Sequence, residues 1–256
     1  MTELIIIAFV AIFIGLSLGL LGSGGAILTV PALSYIVGQD EKTAIASSLA
    51  IVGLIAFTSA VKYQQNKMIH WPAVWQFGFP SMLASYFAAG LSVYLSGAQQ
   101  MSLFAIIMLL AAFSMLKNKT NEQHQPIAFN FSIRLMMIGS IVGCISGLVG
   151  VGGGFLIVPA LLAFTRITMA NVVATSLAII TLQSLTGFIK YYSISASQNL
   201  VLDWKVIFVV ALVGSISSIF GQKISTKMPQ QKLKKMFAVF LLIMSIFILI
   251  QSIALN

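Results

Sequence analysis

The chain has only five acidic residues in 256, and none lies inside an apolar stretch. Glu3, Asp40, Glu41, Glu122 and Asp203 are terminal or sit between apolar segments, as do both histidines, His70 and His124. Proton pumps build their relays from buried carboxylates and histidines, so no membrane-embedded proton relay is expected. The residues offer no cluster of metal ligands and no catalytic triad, so neither a cofactor nor enzymatic chemistry is expected. A GxxxxGK[ST] loop is missing, which removes ATP hydrolysis. The single cysteine, Cys144, excludes an intramolecular disulfide and a thiolate metal cluster. The first residues, MTELIII, lack the basic start of a cleaved signal peptide.

Charge of either sign is scarce. Charged residues make up 7% of the chain and hydrophobic ones 59%, whereas soluble domains carry about 25% charge. Mean hydropathy is +1.03. These values describe an integral membrane protein. The net charge of +9 does not point to nucleic acid, because the basic residues are spread over short loops with no aromatic platform.

What is abundant is repetition. GLSLGLLGSGGAILTVPAL begins at Gly15 and GCISGLVGVGGGFLIVPAL at Gly143, 128 residues later, with eleven of nineteen pairs identical. The same offset aligns Ala46–Ile51 (ASSLAI) with Ala174–Ile179 (ATSLAI), and Lys62-Tyr63 with Lys190-Tyr191. Two fused copies of an apolar unit with glycine-broken helices is a common plan for secondary transporters. The expected repeats are residues 1–128 and 129–256, forming one transport domain.

Five apolar segments fall in each half. They span about 4–21, 24–38, 44–61, 72–95 and 101–116, then 132–150, 153–165, 171–189, 204–222 and 233–252. The segments 24–38 and 153–165 are short, and either cross as thin spans or turn back. If all ten cross with the N-terminus outside, eleven of the fourteen basic residues face the cytoplasm; re-entrant short segments would leave seven on each side. The positive-inside bias therefore selects ten crossings, with both termini on the outer side. Five crossings per half invert the second repeat relative to the first. The expected architecture is an all-α polytopic membrane protein with inverted-topology repeats.

The runs Gly22-Ser23-Gly24-Gly25 and Gly150-Val151-Gly152-Gly153-Gly154 break a helix inside the membrane. Broken backbone at that depth is tolerated where it lines a cavity or binds something. A helix restarting after each break presents free N–H groups, which suit an anion. Pro31 and Pro159 are expected to interrupt the restarted helices again. The competing reading is that the glycines let helices pack closely. Ser47, Ser48, Thr175 and Ser176 offer hydroxyls to an oxyanion, or else bond back to their own helices. Gln183 and Asn171 are lesser candidates on the same helix as Thr175. Lys62 and Lys190 either form a charged vestibule or reach toward headgroups, with Tyr63 and Tyr191 then in the interfacial belt. Trp71, Trp75 and Trp204 read as interface anchors, and Lys232–Lys235 as an orientation signal with affinity for anionic lipid.

GLLGSGGAILTVPAL with ASSLAI, and GLVGVGGGFLIVPAL with ATSLAI, resemble the TauE/SafE family of bacterial sulfite and sulfonate exporters. The resemblance covers essentially the whole chain. It implies a polytopic inner-membrane protein that exports small sulfur oxyanions, without naming the substrate. The first copy departs from the second at Ser23, where the second has Val151, and at Ala26, where it has Gly154.

The expected partners are a small anion and the lipid bilayer, with no nucleic acid; a homo-oligomer is left open. The expected function is export by alternating access. A passive anion channel and a non-transporting membrane assembly factor are the alternatives.

Overall fold

The computed structural model describes residues 2–117, 132–151, 154–165, 167–197 and 202–254. Among these the regular structure is helical throughout. The first half contains α1 (Thr2–Leu21), α2 (Gly24–Pro31), α3 (Glu41–Gln65), α4 (Trp71–Ala73), α5 (Phe79–Leu91) and α6 (Gly97–Lys117). The second half contains α7 (Ile133–Val149), α8 (Gly154–Phe164), α9 (Met169–Ser197), α10 (Trp204–Ser225) and α11 (Gln230–Ala254). Among the described residues, five helices are long and apolar enough to cross a bilayer: α3, α6, and the stretches Met169–Ile194, Trp204–Ser225 and Gln231–Gln251. The chain is thus an all-α, multi-pass membrane protein.

Two segments are π-helical, each beside a proline, and Ser92–Tyr94 is a 3-10 turn. After Pro31 the chain continues as a π-helical turn, Ala32–Ile36. Before Pro80 the stretch Val74–Gly78 is π-helical and joins α4 to α5. Pro80 returns no N–H to the carbonyl four residues earlier, at Gln76, and the wider turn there relieves the crowding its ring causes. Pro159 behaves otherwise. It was expected to interrupt its helix, yet α8 runs unbroken from Gly154 to Phe164.

The halves interlock. The first helix of each packs on the fourth apolar segment of the other: α1 on α10, and α7 on α5. Glycines make these contacts backbone to backbone. A Cβ on Gly15 would stand 2.1 Å from the Gly214 carbonyl oxygen, and one on Gly19 2.0 Å from that of Ser218. Across the other seam, Gly139, Gly143 and Gly147 meet the carbonyls of Phe77, Ser81 and Ser85. Lipid gives little hydrophobic drive between helices, so close approach and dispersion hold such seams together. Close packing is therefore the role of Gly15, Gly19, Gly143 and Gly147 within the repeated motif.

Chain directions follow from these contacts. Positions rise together along α1 and α10, so the two helices are parallel; α7 and α5 are parallel likewise. At the centre α3 and α9 run antiparallel, with Gly53 against Ser184 and Leu49 against Gly187. The Tyr63 hydroxyl, near the end of α3, donates to the Gly19 carbonyl near the end of α1, at 3.2 Å. Tyr191 of α9 does the same to Gly147 of α7, at 3.1 Å. Hence α1 and α3 are parallel, as are α7 and α9, and the halves are inverted. The chain leaving α1 must return to the opposite end before α3 begins. Residues 24–36 supply about 20 Å of helical rise, and four extended residues add about 13 Å. Residues 24–40 thus lead the chain from the end of α1 back to the start of α3. The expected repeat boundary at 128/129 lies outside the described residues.

Candidate functional site

Each glycine break begins with a left-handed glycine. Gly22 has φ +79° and Gly150 φ +77°, a conformation that costs glycine no Cβ clash. Their amides close the preceding helices on Leu18 O at 2.8 Å and Ser146 O at 2.9 Å. The remaining glycines of the first run serve packing. A Cβ on Gly25 would lie 2.5 Å from Ile14 O and from Leu18 Cβ, and one on Gly24 3.0 Å from Ser17 O. They let α2 fold back tightly against α1. Gly152 and Gly153 lie outside the described residues.

The two breaks meet each other and the opposite half. A Cβ on Gly154 would stand 3.1 Å from Ser23 Cβ and 2.9 Å from Ile180 Cδ1. Around Gly22 the neighbours are Val173 and the Ser176 hydroxyl of α9; around Gly150 they are Ile45 of α3 and the Tyr191 ring. Each break is thus lined by the third long helix of the other half. No charged atom is among the nearest neighbours of Gly22, Gly24, Gly25, Gly150 or Gly154. What these surroundings offer a ligand is backbone dipole and hydroxyl rather than ion pairing.

The hydroxyls divide into two kinds. Ser23 and Ser47 are fully buried, and neither Oγ has a hydrogen-bond partner. Such an orphan costs about 1–3 kcal/mol unless something binds it. Ser48 and Ser176 instead donate back to Ile45 O and Val173 O, both at 2.8 Å, so these protons are already used. Thr175 accepts at 3.0 Å from the amide of His70, in the loop that follows α3. His70 also caps α4, its Nδ1 accepting from the Ala73 amide at 3.3 Å. The repeat therefore pairs Ser47, which has no partner, with Thr175, whose oxygen accepts from His70, and Ser23 with Val151, which has no hydroxyl.

Other expected residues lie away from the breaks. Pro31 is seven residues beyond Gly24, about 10 Å along α2. Pro159 is similarly removed from Gly154. Lys62 is exposed and donates to Gln65 Oε1 at 3.2 Å, while Lys190 sits 5.3 Å above the Tyr86 ring. Neither is among the nearest neighbours of a described break glycine. The tyrosines beside them correct the interfacial-belt reading. Tyr63 and Tyr191 are buried, and their hydroxyls fasten the ends of α1 and α7. Trp71, Trp75 and Trp204 are exposed, as interface anchors should be.

Two features escaped sequence reasoning. One is the tyrosine latch, although its signal, a Lys-Tyr pair at the repeat offset, was visible. The other is a pair of buried amides, Gln100 and Gln222, which join Gln183, named from the sequence as a lesser candidate. Gln183 donates to Ser81, Gln222 to Ser59 O at 3.2 Å, and Gln100 to Leu148 O at 2.7 Å and to Tyr191 Oη at 3.0 Å. Amides inside apolar helices were the available signal for these.

The profile of the family described as "Sulfite exporter TauE/SafE" matches residues 7–248. Curated relatives align nearly end to end. A "probable membrane transporter protein" of Xylella fastidiosa is 27% identical over 246 residues, covering 93% of this chain and 92% of the relative. One of Methanocaldococcus jannaschii is 29% identical over 266 residues, covering 97% of each. One of Bacillus subtilis is 28% identical over 254 residues, covering 88% of this chain and 89% of the relative. With the family profile spanning almost the whole helical bundle, the chain belongs to the sulfite exporter TauE/SafE family of membrane transporters.

Proposed function

We propose that the chain exports a small sulfur-containing oxyanion, sulfite or an organosulfonate, across the bacterial inner membrane by alternating access, with both termini on the outer side. The supporting observation is the pair of fully buried hydroxyls without partners, Ser23 at the first break and Ser47 on the helix that faces the second. They are donors held ready, one at the start of α2 and one on the helix whose Ile45 meets Gly150. An oxyanion accepts from hydroxyls and amides alike, and needs no cation if enough dipoles converge on it. Inversion of the two halves supplies the structural means for alternating access, since one repeat rocks against the other around a shared site. The drive is electrical. Moving an anion out of a cell that is negative inside gains about 2.3 kcal/mol per charge per 100 mV.

The test is counterflow of labelled sulfite and methanesulfonate in proteoliposomes under imposed potentials of both signs. Saturable flux that accelerates with trans substrate and responds to potential supports the proposal. Flux without saturation or counterflow indicates a channel. Folded protein that moves no oxyanion under any potential refutes the transport assignment for this substrate class.

A further inference from the structure

The two halves differ at one point in the middle of the bundle. On α9, Ser176 faces Gly22, and one turn later Ile180 faces Gly154. The next residue on that stripe is Gln183. Seven residues from Ser176 on a 3.6-residue helix brings it back to within about 20° of the same direction, about 10 Å further along. Gln183 is fully buried; its Nε2 donates to the Ser81 hydroxyl of α5, and its Oε1 has no partner. Ser184, beside it, is also fully buried with an unpartnered hydroxyl, against Gly53 of α3.

The counterpart stripe on α3 is closed. At the repeat offset Gln183 corresponds to Ile55, which fills the space at Gly214 of α10; a Cβ there would lie 2.4 Å from Ile55 Cδ1. Near Ile55 the polar residues Ser59, Ser218 and Gln222 are bonded to one another. Ser59 donates to Ser218 at 2.9 Å, and Gln222 donates to Ser59 O at 3.2 Å. At this level one wall presents Ile55 beside bonded polar groups, while the other holds a buried carboxamide with one end free.

We infer that Gln183 is a substrate contact, a second station one turn past the meeting point of the breaks, and that the oxyanion moves along the α5/α9 wall rather than the α3/α10 wall. The chemistry suits an anion because the amide can turn. A serine hydroxyl both donates and accepts, so Ser81 can hold either end of the carboxamide. Turned one way, Gln183 bonds Ser81 through Nε2. Turned the other, Oε1 accepts from Ser81 and both Nε2 protons face the ligand. The anion selects the second orientation, and Ser81 keeps a partner in each.

This inference rests on the oxyanion reading of the site, and the experiment separates the two. Purified full-length protein in lipid nanodiscs is titrated with sodium sulfite, sodium sulfate and sodium methanesulfonate, with thermal unfolding measured in parallel. Gln183→Leu is expected to weaken binding of the preferred anion about ten-fold or more, the loss of one hydrogen bond to a charged group. Gln183→Glu, which keeps the size, is expected to weaken it further as pH rises and the carboxylate ionises. Ser59→Ala, which removes a paired hydroxyl from the other wall, is expected to lower the unfolding midpoint and leave affinity unchanged. If both Gln183 variants bind like the parent, or lose only thermal stability, the inference is overturned. If the folded parent binds none of the three anions, the oxyanion reading falls and this inference with it. Should Gln183→Leu fail to fold, the pH dependence of Gln183→Glu decides alone.

Discussion

Ser23 of the first break lies directly against Gly154 of the second, with only 3.1 Å between the serine Cβ and the place a glycine Cβ would occupy. The two halves of the transporter touch at this point through their least regular backbone. The first half already carries alanine at the corresponding position, Ala26.

Gly154→Ala should therefore separate the breaks. The added methyl meets Ile180 Cδ1, which can move, and Ser23 Cβ, which moves only with its backbone. We expect a loss of about 1–3 kcal/mol in stability and a marked fall in transport. Ser23→Gly in the same chain removes the opposing Cβ and should recover part of the stability. A double-mutant cycle by thermal unfolding checks this, with a coupling of about 0.5–3 kcal/mol expected for residues in contact. Strict additivity would show that the contact does not join the two breaks.

Removing the orphan hydroxyls should spare stability and harm binding. Ser23→Ala and Ser47→Ala break no internal hydrogen bond, so the ligand-free midpoint should hold or rise. Affinity for the transported anion should fall about ten-fold for each. Ser48→Ala and Ser176→Ala are the comparison, because those hydroxyls bond to their own helices and their removal should change affinity far less. Unfolding and anion titration on the four variants settle the distinction; equal effects on affinity across all four would argue against it.

The tyrosine latches should differ in strength. Tyr63→Phe loses one hydrogen bond, to Gly19 O. Tyr191→Phe loses the bond to Gly147 O and also strands the Gln100 amide that donates to its hydroxyl at 3.0 Å. We expect about 1 kcal/mol for the first and about 2 kcal/mol for the second, read as shifts in unfolding midpoint in the same detergent.

His70 predicts a pH dependence of stability. Burial holds its pKa below the ordinary 6.5, and its neutral Nδ1 accepts from the Ala73 amide. A histidine with a lowered folded pKa resists protonation. Its contribution is complete above the unfolded value and is lost as pH falls below about 6.5 toward the folded pKa. The unfolding midpoint should drop between pH 7.5 and 5.5. His70→Asn keeps a capping side chain without the titration, so its midpoint should drop less. Parallel pH profiles for the two proteins would exclude His70 as the source.

Much of the fold was legible because it is written in length and periodicity. The ten apolar stretches, the 128-residue offset and the lysine distribution are one-dimensional properties, and they led to the inverted helical bundle that the contacts show. The site was legible only as a neighbourhood. Gly22 and Gly150 end helices, Gly24 and Gly25 let α2 fold back on α1, and Gly15 and Gly143 belong to distant seams, yet all share one motif. A glycine's role depends on what a Cβ would meet, and that neighbour is usually far away in sequence. Likewise ASSLAI and ATSLAI look interchangeable, but Thr175 accepts from the amide of His70 while Ser47 has no partner.

The sequence by itself determined that this is a multi-pass helical membrane protein of two related halves, and to which family it belongs. Apolar length, charge distribution and repetition need no third dimension to be read. Only the tertiary structure decided which half completes which break, that the tyrosines turn inward as latches, and that one wall of the pair keeps a carboxamide with one end free where the other presents Ile55. Those outcomes depend on contacts between α3 and α9, α5 and α7, and α1 and α10; glycines every four residues mark that a helix packs closely, but not which backbone it meets.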